Sequence, residues 1–197
     1  MKAKNIKVFN IVIVGTGGQG LITLLQIIAE AALIEGYDIK TSELHGLSQR
    51  GGSVEVHIRF GKNIYSPLVE QGKADFILGL EAQECLKAIH FANPKTVFLI
   101  NQHSIPIPSK KLIPDKEILA RIKKVSKNIN LIKATEICQK ELGTNVASGV
   151  YLLNLAAFKN LIPLKPSSIL KAMEKIIPEK YLDLNIKTFK LAKHYEA

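Results

Sequence analysis

With 197 residues, 47% of them hydrophobic, the chain can fill one substantial core but not a second large one, so a single domain over 1–197 is expected. Its two cysteines, Cys85 and Cys138, stand far apart with no C-x-x-C, which argues against zinc or iron–sulfur ligation within the chain, and no apolar run reaches the roughly 20 residues of a membrane span. The net charge of +10 comes almost entirely from lysine, without the arginine and aromatic mix that reads and stacks bases, so nucleic acid is not the expected partner.

Met1 to Lys7 lacks the apolar core and small-residue cleavage site of a secretory signal, so a cytoplasmic location is expected. Lys7 to Val14 reads as a buried strand, Leu21 to Glu35 as a helix, and Ile39 to Ser42 as a second strand after the Gly36-Tyr37-Asp38 turn, which makes a βαβ unit. On the first helix Thr23, Gln26 and Glu30 form one narrow polar stripe, so the helix is nearly engulfed, either by its own domain or by a docked subunit. Val54, Val56, Ile58 and Phe60 alternate with Glu55, His57 and Arg59 as in a strand with one wetter face. Gly61-Lys62-Asn63 turns the chain, and Ile64-Tyr65-Ser66 is its expected antiparallel partner at a sheet edge.

Phe76 to Leu80 and Thr96 to Ile100 are short buried-strand runs on either side of a helical stretch, Ala82 to Phe91, which completes another βαβ crossover. The Pro-rich piece Ile105 to Ser109 is a surface connection. Asp115 to Val125 reads as helix, Leu131 to Lys133 as strand, and Thr135 to Leu142 and Ala147 to Asn160 as helices; from Pro166 two lysine-rich amphipathic helices follow, broken at Pro178. Residues 1–98 carry 10 basic and 9 acidic side chains, whereas 99–197 carry 17 and 8. That basic half reads as solvated surface, or as a field steering an acidic protein or a phosphate-bearing small molecule.

Two glycine-rich segments stand out. The first strand runs into Gly15-Thr16-Gly17-Gly18-Gln19-Gly20, which opens the first helix; spaced Gly15, Gly17 and Gly20 fit a dinucleotide fingerprint, and the free amides of Gly17 to Gly20 at a helix start suit an anion. Tight strand-to-helix packing alone would also ask for these glycines. One helix and one strand later comes Ser42-Glu43-Leu44-His45-Gly46-Leu47-Ser48-Gln49-Arg50-Gly51-Gly52-Ser53-Val54. Arg50 offers a bidentate fork to a carboxylate, a phosphate or an acidic group on a partner, and Gly51 and Gly52 allow close backbone approach. Glu43 is either a ribose-binding acid or a loop-ordering carboxylate, and His45 either bonds its own loop or joins the site.

Together, Gly15 to Gly20 and the run from Ser42 to Val54, with His45-Gly46, Ser48-Gln49 and Arg50-Gly51-Gly52 within it, resemble the small, gamma-type subunits of the 2-oxoacid:ferredoxin oxidoreductases, most closely the beta subunits of the indolepyruvate type. Val56 to Arg59, Ser66-Pro67, Ala74-Asp75, Asn145 and Asn185 extend the match over nearly the whole chain. The resemblance implies a three-layer α/β/α, Rossmann-like, mostly parallel sheet with an antiparallel hairpin. It also implies a large alpha subunit that carries thiamine diphosphate, magnesium and the [4Fe–4S] clusters, while the small subunit binds none of these. That complex decarboxylates an aryl pyruvate, reduces ferredoxin and passes the acyl group to coenzyme A, with little or no turnover by this chain alone. Under the resemblance Gly15, Gly17, Gly18, Gln19, Gly20, Glu43, His45, Ser48, Gln49, Arg50, Gly51 and Gly52 bind substrate or coenzyme A or meet the partner, and no side chain here is catalytic or a metal ligand.

Two other readings compete. A free-standing NAD(P)-dependent dehydrogenase would use Gly15 to Gly20 and Glu43. A basic nucleic-acid-binding module rests on charge alone.

Overall fold

A computed structural model describes residues 7–46, 52–105 and 112–195. Alternation along the first strand, β1 (Val8–Thr16), sets up the layers: Ile11 and Ile13 belong to one apolar cluster, Val12 and Val14 to the other. Successive side chains on a strand point to opposite faces, so β1 carries a core on both sides. The chain then runs α1 (Leu21–Ile34), β2 (Asp38–His45), β3 (Ser53–Gly61), β4 (Phe76–Gly79), α2 (Ala82–Ala88) with a 3-10 turn at Ile89–Phe91, and β5 (Val97–Asn101). It continues through α3 (Asp115–Lys123), β6 (Ile129–Ile132), α4 (Ala134–Leu142), α5 (Ser148–Phe158), α6 (Pro166–Ile176) and α7 (Glu179–His194).

The described strands form one sheet in the order β2-β3-β1-β4-β5-β6. β1, β4, β5 and β6 are parallel; β3 runs against both β1 and β2. Helices α2 and α3 cover one face with Val12, Ile77, Phe98 and Ile100, while α1 and α4 to α7 cover the other with Ile11, Phe76, Leu78 and Leu99. This is the expected three-layer α/β/α arrangement.

The antiparallel element has a different partner from the expected one. Ile64-Tyr65-Ser66 forms no strand; β3 pairs instead with β2 and, over Val8 to Thr16, with β1. Residues 62–75 cross over part of β3, so His57 on the expected wetter face is buried. Its Nδ1 accepts the Val69 N–H at 3.1 Å, which leaves Nε2 protonated to meet Glu55 Oε1 at 2.8 Å. The same end of the sheet is tied by Arg59 to Asn10 and to the Ser66 carbonyl, and by Asp75 to the Asn10 N–H. Three of the outlying resemblance positions, Arg59, Ser66 and Asp75, thus hold the end of the sheet remote from the glycine turn.

α1 is covered by its own domain along the sheet and α6, where Glu30 pairs with Lys175 at 2.7 Å, but Leu33 and Ile34 remain exposed. α1 is thus nearly engulfed as expected, and α5 is enclosed further still, buried at every residue from Gly149 to Phe158 against α1, α4, α6 and α7.

Candidate functional site

β1 feeds α1 on one face of the sheet, while its parallel neighbour β4 feeds α2 on the other. A crevice opens between such oppositely wound connections at the carboxyl ends of the strands, where open α/β sheets bind ligands. Both glycine segments reach this end, because antiparallel β3 starts where β1 finishes: Thr16 pairs with Ser53 across the ladder. The Gly17 N–H donates to the Gly52 carbonyl at 2.9 Å and stitches the two segments together, while Gly46 N–H to the Ser53 carbonyl at 3.0 Å closes the second segment on itself.

The turn itself is tight. Gln19 folds back so that its Oε1 accepts the Thr16 N–H at 2.9 Å, and a Cβ on Gly15 would come within 2.6 Å of that oxygen. A methyl group at Gly15 would push the Gln19 side chain off its bond to Thr16 and crowd Leu80 at 3.1 Å, so the packing reading, the plainer of the two, has direct support. Gly20 sits at the N-terminal boundary of α1 with φ +76°, a left-handed conformation that favours glycine. Of the amides expected to face an anion, those of Gly17 and Gln19 are already engaged by Gly52 and Thr16. The donors left at this turn are Gly18, Gly20 and the first turn of α1, which has neither a side-chain cap nor an acidic residue. α5 starts nearby in the same condition, and each helix start is worth up to about half a positive charge.

Two clefts flank the turn. The first, of about 220 Å³, lies over the ends of β4 and β5 and is lined by Gly18, Gln19, Leu80, Asn101, His103 and Ser148 among others. Asn101 fixes its floor by donating to the Leu80 carbonyl at 3.2 Å and to Thr135 Oγ1 at 2.8 Å. The second, of about 310 Å³ and more apolar, lies between the starts of α1 and α5 and the α6–α7 corner; Gly18, Gln19 and Val146 border both. Asn145 lines the first cleft and Asn185 the second, which brings these two resemblance positions to the same end as the glycines.

Beneath the turn lie two buried carboxylates that sequence reasoning missed. Glu81 Oε1 accepts the Thr16 hydroxyl at 2.6 Å and Oε2 the Ile105 N–H at 2.9 Å. Glu84, one turn along α2, accepts the Ser53 hydroxyl and pairs with Lys87 at 2.7 Å. The only signal for them was an acid directly after a buried strand and another three residues on, a pattern that also marks any ordinary helix start.

Of the remaining expected residues, Glu43 is exposed near the end of β2, which β3 separates from β1, so it stands two strand spacings, roughly 10 Å, from the strand that feeds the turn. In a dinucleotide fold those two strands are adjacent. His45 closes β2 at the site end. Ser48, Gln49, Arg50 and Gly51 lie outside the described residues. Cys85 and Cys138 are buried on opposite faces of the sheet, so they cannot share a metal or cluster, and burial raises both thiols, Cys138 to about 11. No described helix is long and apolar enough to cross a membrane.

The family model for pyruvate ferredoxin/flavodoxin oxidoreductase matches residues 10–195. Indolepyruvate oxidoreductase subunit IorB of Archaeoglobus fulgidus is 36% identical over 187 residues, with 92% of each chain covered. Pyruvate oxidoreductase subunit PORC from Thermotoga maritima shares the fold with a TM-score of 0.67 at 20% identity, covering 96% of this chain and 97% of that one. The 2-oxoglutarate:ferredoxin oxidoreductase from Magnetococcus marinus, with 2-oxoglutarate, coenzyme A and succinyl-CoA bound, gives a TM-score of 0.74 at 16% identity, 97% of this chain matching 31% of that chain.

Proposed function

The chain belongs to the pyruvate ferredoxin/flavodoxin oxidoreductase family, and from that membership we infer that it is the small subunit of an indolepyruvate:ferredoxin oxidoreductase. The reading assigns it a large alpha partner that holds thiamine diphosphate, magnesium and [4Fe–4S] clusters, a ferredoxin as electron acceptor, coenzyme A as acyl acceptor and a cytoplasmic location. Those groups supply the carbanion and electron-transfer chemistry when bound. The residues described here are no match for a cluster, since the two cysteines face opposite layers.

The observation that carries the reading is the bond from Gly17 N–H to the Gly52 carbonyl, which gathers both family-type segments at the switch-point crevice. A surface of turns poor in side chains can lie close against another subunit and exclude water from a reacting centre. Uncapped helix starts at the same rim suit a carboxylate or phosphate that arrives between the subunits. Within this reading Gly18, Gln19, Gly20, Gly52 and the clefts beside them contact substrate, coenzyme A or the partner. Glu43, His45, Ser48, Gln49, Arg50 and Gly51 extend that contact, with Gly15 and Gly17 shaping the turn.

The displaced position of Glu43 removes the specific support for a nicotinamide-dependent dehydrogenase. Co-expression with a candidate large subunit tests the reading. The purified complex should reduce an artificial one-electron acceptor in the presence of an aryl pyruvate, faster with coenzyme A than without, whereas this chain alone should not. A complex that never forms, or turnover by the isolated chain, would overturn it.

A further inference from the structure

The cleft between α1, α5 and the α6–α7 corner carries a polar group, Asn185, to which neither the resemblance nor the glycine segments give a role. Asn185 lines it and is only 9% exposed. Its Nδ2 donates to the Tyr181 carbonyl one turn back at 2.8 Å, which fixes the amide and leaves Oδ1 as its free end. Oδ1 meets no donor among the described residues, yet it is not sealed inside protein as both amide atoms of Asn154 are, so it opens on the cleft that Asn185 lines. Beside it on this wall stand Ile177, Pro178 and Leu184; the opposite wall includes Leu24 and Val150. The cleft therefore presents mostly hydrocarbon walls with Asn185 Oδ1 as its buried, fixed acceptor, the hydroxyls of half-buried Thr23 and exposed Tyr181 and the amide of Gln19 standing nearer solvent, and at about 310 Å³ it falls within the range of small-molecule sites.

That lining defines its occupant. A purely hydrocarbon ring would leave Oδ1 desolvated without a donor, which costs free energy. Adenine and a phenol can also donate, but adenine brings ring-nitrogen acceptors that need donors of their own in a mostly apolar cleft, and a phenol brings an oxygen that also accepts. Indole is planar, apolar and a donor only. We propose that this cleft binds the indole ring of the 2-oxoacid, with Asn185 Oδ1 accepting the ring N–H. Gly18, Gln19 and Gly20 border the same cleft, so the acidic end of the substrate has the uncapped start of α1 within the same site. Asn185 is then a specificity-determining residue for the reaction proposed above, on which this inference rests.

The test compares indolepyruvate with its 1-methylindole analogue, which keeps the ring and loses the N–H, on the assembled complex. One buried hydrogen bond predicts a ratio of kcat/KM of about tenfold in favour of the N–H ring. Asn185→Leu should bring that ratio close to one, and Asn185→Ala, which is smaller and favours helix, should do the same if the leucine variant fails to assemble. A native ratio near one, or a ratio unchanged in both variants, overturns the inference. So does a rise in KM for coenzyme A with the ring ratio unchanged, which would place adenine in the cleft. If the native complex turns over no aryl pyruvate, the parent reading fails separately. The inference is then decided by NMR titration of the full chain with indole and 1-methylindole: shifts of the Leu24, Val150 and Leu184 methyls with indole, and about tenfold weaker binding of the methylated ring, support it; equal binding or unmoved methyls reject it.

Discussion

Thr16 and Glu81 lie 65 residues apart, yet the Thr16 hydroxyl donates to the buried Glu81 carboxylate at 2.6 Å. Ser53, the ladder partner of Thr16, donates in the same way to Glu84. The first turn of α2 thus anchors the stems of both glycine segments at once. Glu81 also accepts the Ile105 N–H, and Ala82 N–H donates to the His103 carbonyl at 3.1 Å, so this turn holds the far wall of the first cleft as well.

Glu81→Ala leaves the Thr16 hydroxyl and the Ile105 N–H without their acceptor, and should cost about 1–3 kcal/mol in urea unfolding. Complex turnover should fall with it. Glu81→Gln keeps one acceptor oxygen and should lose less of both. Equal stability of the alanine variant and the native chain would remove the anchoring role.

Two glycines of the same turn should fail for different reasons. Gly15→Ala puts a methyl group against Gln19 Oε1 and Leu80, a clash worth about 1–3 kcal/mol that removing the Gln19 side chain should partly relieve. Gly20→Ala meets no neighbour within 4 Å, so its cost is backbone strain alone, about 1–2 kcal/mol, and no change at Gln19 should rescue it. Double-mutant cycles by thermal unfolding separate the two.

Asp75 is half-buried, and desolvation raises its carboxyl above the ordinary carboxylate value even though the Asn10 N–H pulls the other way. A raised acid binds more protons in the folded state, so its contribution to stability falls as pH climbs from the unfolded value through the folded one. Asp75→Asn, which can still accept the Asn10 N–H, should therefore be more stable than the native chain at neutral pH. The difference should shrink below the ordinary carboxylate range. A gap that widens on acidification would contradict the sign.

Cys138 is buried and raised to about 11, and Cys85 is raised further by burial and by the neighbouring Glu84. Neither should react with iodoacetamide in the native chain at pH 8 on the timescale of a free thiol. Both should label promptly in denaturant. Fast native labelling would show that the helices carrying them open readily.

Arg50→Ala tests the segment outside the described residues. Under the proposed function it should abolish complex turnover while leaving the thermal unfolding of the chain unchanged. Normal turnover would remove Arg50 from the site.

The layers were legible because β1, β4 and β5 are short apolar runs and the helices between them carry strong periodicity, so each boundary falls within a few residues of its expected place. What sequence could not give was pairing. Alternation in Val54 to Phe60 announces a strand but not its neighbours, and β3 took β1 and β2 where the Ile64 segment was expected. Likewise the covered state of His57 depends on residues 62–75 folding over it, a tertiary event with no local mark. At the site, glycines advertise themselves through composition. Glu81 and Glu84 do not, because an acid at a helix start looks the same whether it faces water or a buried hydroxyl. The narrow polar stripe of α1 predicts a nearly engulfed helix, and only its Gln26, Leu33 and Ile34 are exposed; α5 is enclosed further still, since layer position decides exposure once several helices are nearly all apolar.

The reversed direction of β3 has a mechanical consequence. A pull on the 46–52 connection draws β2 and β3 together along their axes and loads the β3–β1 ladder lengthwise, so many hydrogen bonds resist together instead of opening one at a time. Such a load passes straight into β1, and the layers behind it keep their shape.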